Sequence, residues 1–227
     1  MANANLDTND VVLPHGMSFE TRDGRLTLVS GDLDMCADFE RMLPRLKQSA
    51  LAHEMLVKAA RIKGMQAPLK AIDATAGFGE DSILLAAAGF DVTLFERDQI
   101  IAALLADAIG RATQSDQLSH IAARMHLIAK DSIAGLANIS FEPDVILLDP
   151  MFPAKRKDAL AKKKLQLIQR LESPCSDEDA LMAAALAANP KKIVVKRPLK
   201  GPHLAGKTPS YSLQGKTIRY DVIVVPH

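Results

Sequence analysis

The chain changes its hydrophobic period twice. Met17-Ser-Phe-Glu-Thr21 and Arg25-Leu-Thr-Leu-Val29 alternate apolar and polar residues around Asp23-Gly24, which predicts a β-hairpin because a primed two-residue turn needs positive φ. From Leu46 to Ile62 the apolar residues recur at helical spacing, and Gly64 stands where a C-cap would, so one helix is expected there. Beyond Pro68 short β-branched runs alternate with alanine-rich helical segments, the pattern of βαβ units around a mostly parallel sheet. Strands are predicted at Lys70–Ala74, Val92–Phe95, His126–Ala129, Val145–Leu148 and Ile193–Lys196. Helices are predicted over residues 80–88, 98–112, 132–138, 156–172 and 177–188. Two strand-like runs flank Gly215 within Tyr211–Val225, so a terminal antiparallel hairpin is expected. The reading is thus an α/β chain with a small N-terminal β-hairpin and helix element over residues 1–63 and a main domain over 64–227. The polar first dozen residues carry no period and are expected to be loose.

Composition adds limits. At 227 residues and 48% hydrophobic content the chain can bury one sizeable core. No apolar run approaches the roughly 20 residues of a membrane span, and MANANLDTND lacks the layout of a secretory signal, so a cytoplasmic protein with no membrane partner is expected. Cys36 and Cys175 match no metal spacing and read as reduced thiols. Residues 151–220 hold 15 Lys and Arg against 5 Asp and Glu, whereas the remainder holds 13 against 22. That polarity suggests a basic face meeting a polyanion; a solvated lysine-rich helix would show the same charge.

The candidate chemistry sits at strand ends. Ala71-Ile-Asp-Ala-Thr-Ala-Gly-Phe-Gly79 is an apolar strand that ends in Asp73 and runs into a turn with Gly77 and Gly79. Such a turn lets backbone approach a ligand at the carboxyl edge of a sheet. A dinucleotide fingerprint would place glycine at position 82, where this chain has Ser82, so the turn fits S-adenosylmethionine (SAM) better than NAD. Glu96, ending the next strand, can accept hydrogen bonds from both hydroxyls of a ribose. Asp131 and Ser132, past the third strand, stand where an adenine amino group needs an acceptor; a helix N-cap is the plainer reading of either alone.

The fourth strand empties into Asp149-Pro-Met-Phe-Pro153. An aromatic amine is a poor nucleophile because its lone pair is delocalised, and acceptors on its hydrogens favour a pyramidal nitrogen. Asp149 and the Pro150 carbonyl can be those acceptors, and Phe152 can stack on the base. Such chemistry requires no metal. Lys155, Arg156, Lys157, Lys162, Lys163 and Lys164 follow the motif, and Lys196-Arg197 end another strand on the same edge; all are candidates for RNA phosphates. His53 reads as structural, and His120 and His126 have no ligand spacing.

Together Asp73-Ala-Thr-Ala-Gly-Phe-Gly79, Glu96-Arg97, Asp149-Pro-Met-Phe-Pro153, the lysine run from 155 to 164 and Val194-Val-Lys-Arg-Pro198 resemble the RsmJ family of 16S ribosomal RNA guanine-N2 methyltransferases, over about residues 64–225. The resemblance implies a Rossmann-like class I methyltransferase fold with seven strands, SAM as donor, and a guanine of 16S ribosomal RNA, free or in the 30S subunit, as acceptor. It further implies that Glu80, Asp81, Glu96, Arg97, Asp131, Ser132 and Asp149 contact SAM. A DNA-adenine or small-molecule N-methyltransferase, and a noncatalytic RNA-binding protein on a vestigial methyltransferase fold, are the alternatives.

Overall fold

The computed structural model describes residues 8–64, 68–150 and 177–226. Its N-terminal part is a three-stranded antiparallel sheet of β1 (Ser18–Arg22), β2 (Arg25–Ser30) and β3 (Leu33–Met35). The β1–β2 turn has φ of 50° at Asp23 and 73° at Gly24, the primed geometry expected of Asp-Gly. β3 is additional to the predicted hairpin: Gly31 at φ 58° turns the chain back once more and brings Met35 into the core.

The single helix expected over Leu46–Ile62 is instead three short ones, α1 (Leu43–Leu46), α2 (Gln48–Leu51) and α3 (Met55–Ala60). Lys47 and Glu54 take extended ψ of 135° and 127° between them. Across the second break the Glu54 carboxylate accepts both Nε (2.7 Å) and Nη2 (2.8 Å) of Arg45, a two-pronged tie that fixes the bend. The apolar period survives because each piece turns its own residues inward: Leu51, then Leu56, Ala59 and Ala60. Lys192 closes the end of α3 by donating to the carbonyls of Ala59 (3.3 Å) and Arg61 (2.6 Å), where a helix dipole favours a cation.

The main sheet contains β4 (Leu69–Asp73), β5 (Phe90–Phe95), β6 (Met125–Ile128), β7 (Val145–Leu148), β8 (Lys192–Pro198), β9 (Tyr211–Gln214) and β10 (Ile218–Val224). Their order is β6-β5-β4-β7-β8-β10-β9; the pairs from β6 through β8 are parallel, and β10 is antiparallel to both neighbours. Alternate residues feed two cores, as a period of two requires. Ala71, Val145, Leu147 and Val194 face one cluster with α4 (Glu80–Ala87) and α5 (Gln99–Thr113). Ile72, Ile146, Leu148 and Val195 face the other, with α7 (Ser132–Leu136) and α8 (Glu178–Ala187). A short α6 (Ser119–Ala122) precedes β6 and was not foreseen. Leu28, Met35 and Phe39 from the N-terminal part lie in the same apolar cluster as Leu105 and Ile109 of α5. The helix predicted over residues 156–172 lies outside the described residues. Among the described residues no helix is long and apolar enough to cross a membrane.

Candidate active site

Sheet order decides where the two sequence motifs meet. β4 and β7 are neighbours with Asp73 opposite Leu147, so both strands deliver their final acids to one edge. The loops are joined directly: the Asp149 backbone N–H donates to Thr75 Oγ1 (2.6 Å), and Ala74 N–H to the Leu147 carbonyl (3.0 Å). Asp73 is 1% exposed and braces the turn from beneath, accepting Ser82 Oγ (2.6 Å) and Thr75 N–H (3.1 Å). Ser82, which breaks the dinucleotide pattern, is thus the hydroxyl that ties α4 to the strand-end acid.

The two glycines of the turn do different work. Gly77 has φ 53° and a Cβ there would meet no atom within 4 Å, so its free face opens on space. Gly79 (φ 73°) does not line the cavity: a Cβ on it would come within 2.7 Å of Leu105 Cδ1 and 3.1 Å of Phe39 Cζ. Its left-handed backbone, together with close packing on Leu105 and Phe39, rather than ligand approach, favours glycine at 79. Glu96 spans the gap between motifs, its Oε2 accepting Gly77 N–H (2.9 Å) and its Oε1 Asp98 N–H (2.8 Å). Each carboxylate oxygen has a second lone pair, so both remain able to accept from a ligand. Burial pushes the Glu96 carboxyl up from its ordinary value, against the lowering effect of these backbone donors.

These residues surround a cavity of about 380 Å³ at the carboxyl edge of the sheet, a size typical of small-molecule sites. Asp73, Gly77 and Glu96 line it, together with Glu80 and Asp81 from the start of α4 and Arg97 after β5. Asp131 and Ser132 close a further side; Asp131 caps α7 through Oδ1, accepting Ile133 N–H at 2.8 Å. Asp149 and Pro150 also line the cavity. Phe152 and the cations Lys155, Arg156, Lys157, Lys162, Lys163 and Lys164 lie outside the described residues. No group of three or more His, Cys, Asp or Glu suited to a metal occurs among the described residues.

Two cations expected to reach phosphates are committed inside the protein. Lys196 Nζ lies 2.7 Å from Asp81 Oδ2 and 2.9 Å from Asp149 Oδ2, in the cavity wall. Burial works against its charge, but Asp149 and Asp81 outweigh this and hold the ammonium above the ordinary lysine range. Arg197 is 1% exposed, with Nη1 on Glu178 Oε1 (3.0 Å) and Nε on the Pro202 carbonyl (3.0 Å), so it fastens the loop after β8 to α8. Alternation along β8 explains why the two part company: the strand continues to Pro198, which turns consecutive side chains to opposite faces, Lys196 to the cavity and Arg197 inward. Tyr220, opposite Lys196 in the β8–β10 register, is a neighbour that sequence patterning did not suggest; burial and then Asp81 push its hydroxyl upward.

Asp73 gives the site a pH signature. Burial and the nearby Asp81 and Asp149 raise its carboxyl to about 7, although Ser82 and Thr75 oppose the rise. The folded chain therefore holds a proton that the unfolded chain has lost between about pH 4 and 7. Stability should fall as pH rises through that window, by on the order of 4 kcal/mol at most. Asp73→Asn should flatten this slope in urea titrations; an unchanged slope would place the titration elsewhere.

Comparison with known proteins bears on this geometry. Residues 16–225 match the model of a family described as putative SAM-dependent methyltransferases. The ribosomal RNA small subunit methyltransferase J of Pseudomonas fluorescens strain Pf-5 is 44% identical over 170 residues, 74% of this chain and 65% of that protein. Its namesake in Thioalkalivibrio sulfidiphilus is 42% identical over 183 residues, 79% of this chain and 71% of the relative. The aligned part therefore spans about two thirds of these relatives' length. The crystal structure of a SAM-dependent methyltransferase from Neisseria gonorrhoeae superposes with a TM-score of 0.74 at 30% identity, covering 94% of this chain and 85% of that one. With a β6-β5-β4-β7-β8-β10-β9 sheet and the family match spanning both the glycine turn and Asp149-Pro150, the chain belongs to the class I SAM-dependent methyltransferase family that includes ribosomal RNA small subunit methyltransferase J.

Proposed function

We propose that the chain transfers a methyl group from SAM to the exocyclic N2 amine of a guanine in 16S ribosomal RNA, as free RNA or within the 30S subunit. The observation that carries this reading is the tie between Asp149 N–H and Thr75 Oγ1, with Asp149 and Pro150 lining the same cavity as Gly77 and Glu96. The cavity suits the cofactor in three respects. Gly77 leaves open space where a side chain would stand, Glu96 keeps lone pairs for the ribose hydroxyls, and Asp131 and Ser132 offer polar atoms for an adenine. Glu80, Asp81 and Arg97 line the same cavity and are assigned to the remainder of the cofactor. SAM supplies an already activated sulfonium methyl, so the protein needs chiefly to orient and to accept hydrogen bonds.

Asp149 and the Pro150 carbonyl accept from the amine and hold its lone pair toward the methyl-bearing side of the cavity. Phe152 is assigned to stacking on the base, and the cations at 155–157 and 162–164 to flanking phosphates.

A purified-protein assay with labelled SAM against 30S subunits, naked 16S RNA, DNA and small amines tests the reading. Label in 16S RNA, with mass mapping to a guanine, is expected; label confined to DNA or small amines would sink it. Glu96→Gln should weaken SAM binding about tenfold or more, the scale of a lost charged hydrogen bond, as read by calorimetry. An unchanged affinity would remove Glu96 from the cofactor.

A further inference from the structure

The cavity holds an ammonium among carboxylates that the methyl-transfer scheme does not yet use. Lys196 Nζ touches Oδ2 of both Asp81 and Asp149, on α4 and after β7, while its own backbone stands on β8. Three elements with no sequence proximity thus converge on one cation. Among the described residues only Oδ2 of Asp149 is engaged by a side chain, and 38% of the Asp149 side chain is exposed. Oδ1 is therefore the oxygen left for an incoming donor.

We propose that Lys196 is a positioning residue for methyl transfer: held between Asp81 and Asp149, it keeps the Asp149 carboxylate ionised and turned so that Oδ1 accepts from the target amine. The inference rests on the methyltransferase reading above. The amine nitrogen forms its bond to the methyl carbon as the carbon–sulfur bond breaks and leaves its electron pair on sulfur. The proton shed by the nitrogen passes to Asp149 Oδ1 and from there to solvent. A protonated Asp149 can accept neither the hydrogen bond nor the proton, so whatever keeps it charged sets the acid limit of the reaction.

The charges facing Asp149 come from every side. Asp81 on α4 disfavours its ionisation, whereas Lys196 and Arg197 on β8 favour it; at the end of β4, Asp73 is itself pushed upward in part by the charge of Asp149. Tyr220 on β10 faces the same group, and Arg45 of α1 acts on Asp81's neighbourhood from outside. Burial raises the Asp149 carboxyl and Lys196 is the foremost opposing group. Without the ammonium, two carboxylates and a buried tyrosine would share one wall, and like charges so placed cannot all ionise. A purely structural ion pair would also join α4 to the β7–β8 edge, but its loss would not move a titration linked to turnover.

The test is methyl transfer by the full chain to 16S RNA or 30S subunits from about pH 5.5 to 9, together with ¹³C NMR titration of the carboxyl groups without cofactor. In Lys196→Met the acid limb of kcat should move up by about one pH unit or more, with kcat near neutrality about tenfold lower. Lys196→Arg should return the limb most of the way, because the charge is restored. Asp81→Asn should move it in the opposite direction, downward, since it removes a neighbouring negative charge, and this variant carries the test if Lys196→Met does not fold. The Asp149 carboxyl resonance should titrate in the same directions. Acid limbs and carboxyl titrations that superimpose on the unmodified protein in all three variants would overturn the role of Lys196 while leaving methyl transfer intact. Failure of the unmodified protein to methylate any RNA would instead overturn the underlying reading, and this one with it.

Discussion

Alanine at Asp149 should lower kcat about a thousandfold, the scale seen when a preorganised polar group at a reacting centre is removed. The side chain is the only carboxylate that the Asp-Pro motif brings to the cavity, and its backbone is fixed by Thr75. The truncation therefore removes an acceptor and not the shape of the loop. Lys196 would keep Asp81 as a partner, so its charge stays compensated and the fold should persist. Single-turnover transfer to RNA reads the chemical step, and calorimetry reads SAM affinity, which should change by less than about tenfold. A variant that keeps kcat within tenfold would show that the Pro150 carbonyl and alignment suffice.

The largest stability effect is expected at Arg219. Its guanidinium, 5% exposed, donates Nε to both oxygens of Asp221 (2.9 and 3.0 Å) and Nη1 to the carbonyls of Pro198, Leu199 and Gly201 (2.8–2.9 Å). Asp221 also accepts Ser212 Oγ at 2.6 Å and lies 3.0 Å from His203 Nδ1. One buried pair therefore anchors the whole loop that leaves β8. Arg219→Met should cost about 3–5 kcal/mol in urea unfolding, because it strands the Asp221 charge. Arg219→Met combined with Asp221→Leu should recover part of the loss, since no buried charge remains unpaired. Although burial opposes it, hydrogen bonding from Arg219, Ser212 and His203 holds the Asp221 carboxyl below its ordinary value. This contribution is present at neutral pH and is lost as pH falls below the usual carboxylate range. If the single variant unfolds at the same urea concentration as the parent protein, the pair is dispensable.

The main sheet was legible because each strand is short, apolar and bounded by a turn, and both Glu96 and Asp149 could be found by their strand-end positions. What the linear pattern could not convey was which side chains meet across strands. Lys196 looked like a surface cation until β8 fell beside β7 and α4, and Arg197 looked like its twin until strand alternation turned it inward. The break at Glu54 was hidden for a related reason: its Arg45 partner is nine residues away, beyond the spacing that a helical template considers. Gly79 fitted a ligand turn by position, yet it packs against Leu105 and Phe39, each distant in sequence, in a left-handed conformation that itself favours glycine.

The place of β10 between β8 and β9 also bears on what a shortened chain would expose. β9 precedes β10 in the chain, yet it cannot sit against β8, because the intervening lane belongs to residues 218–224. Without those residues Val194 and its neighbours present an open backbone edge, a surface that invites pairing with another copy. A message truncated before codon 218 should therefore yield a product that needs chaperone protection or aggregates.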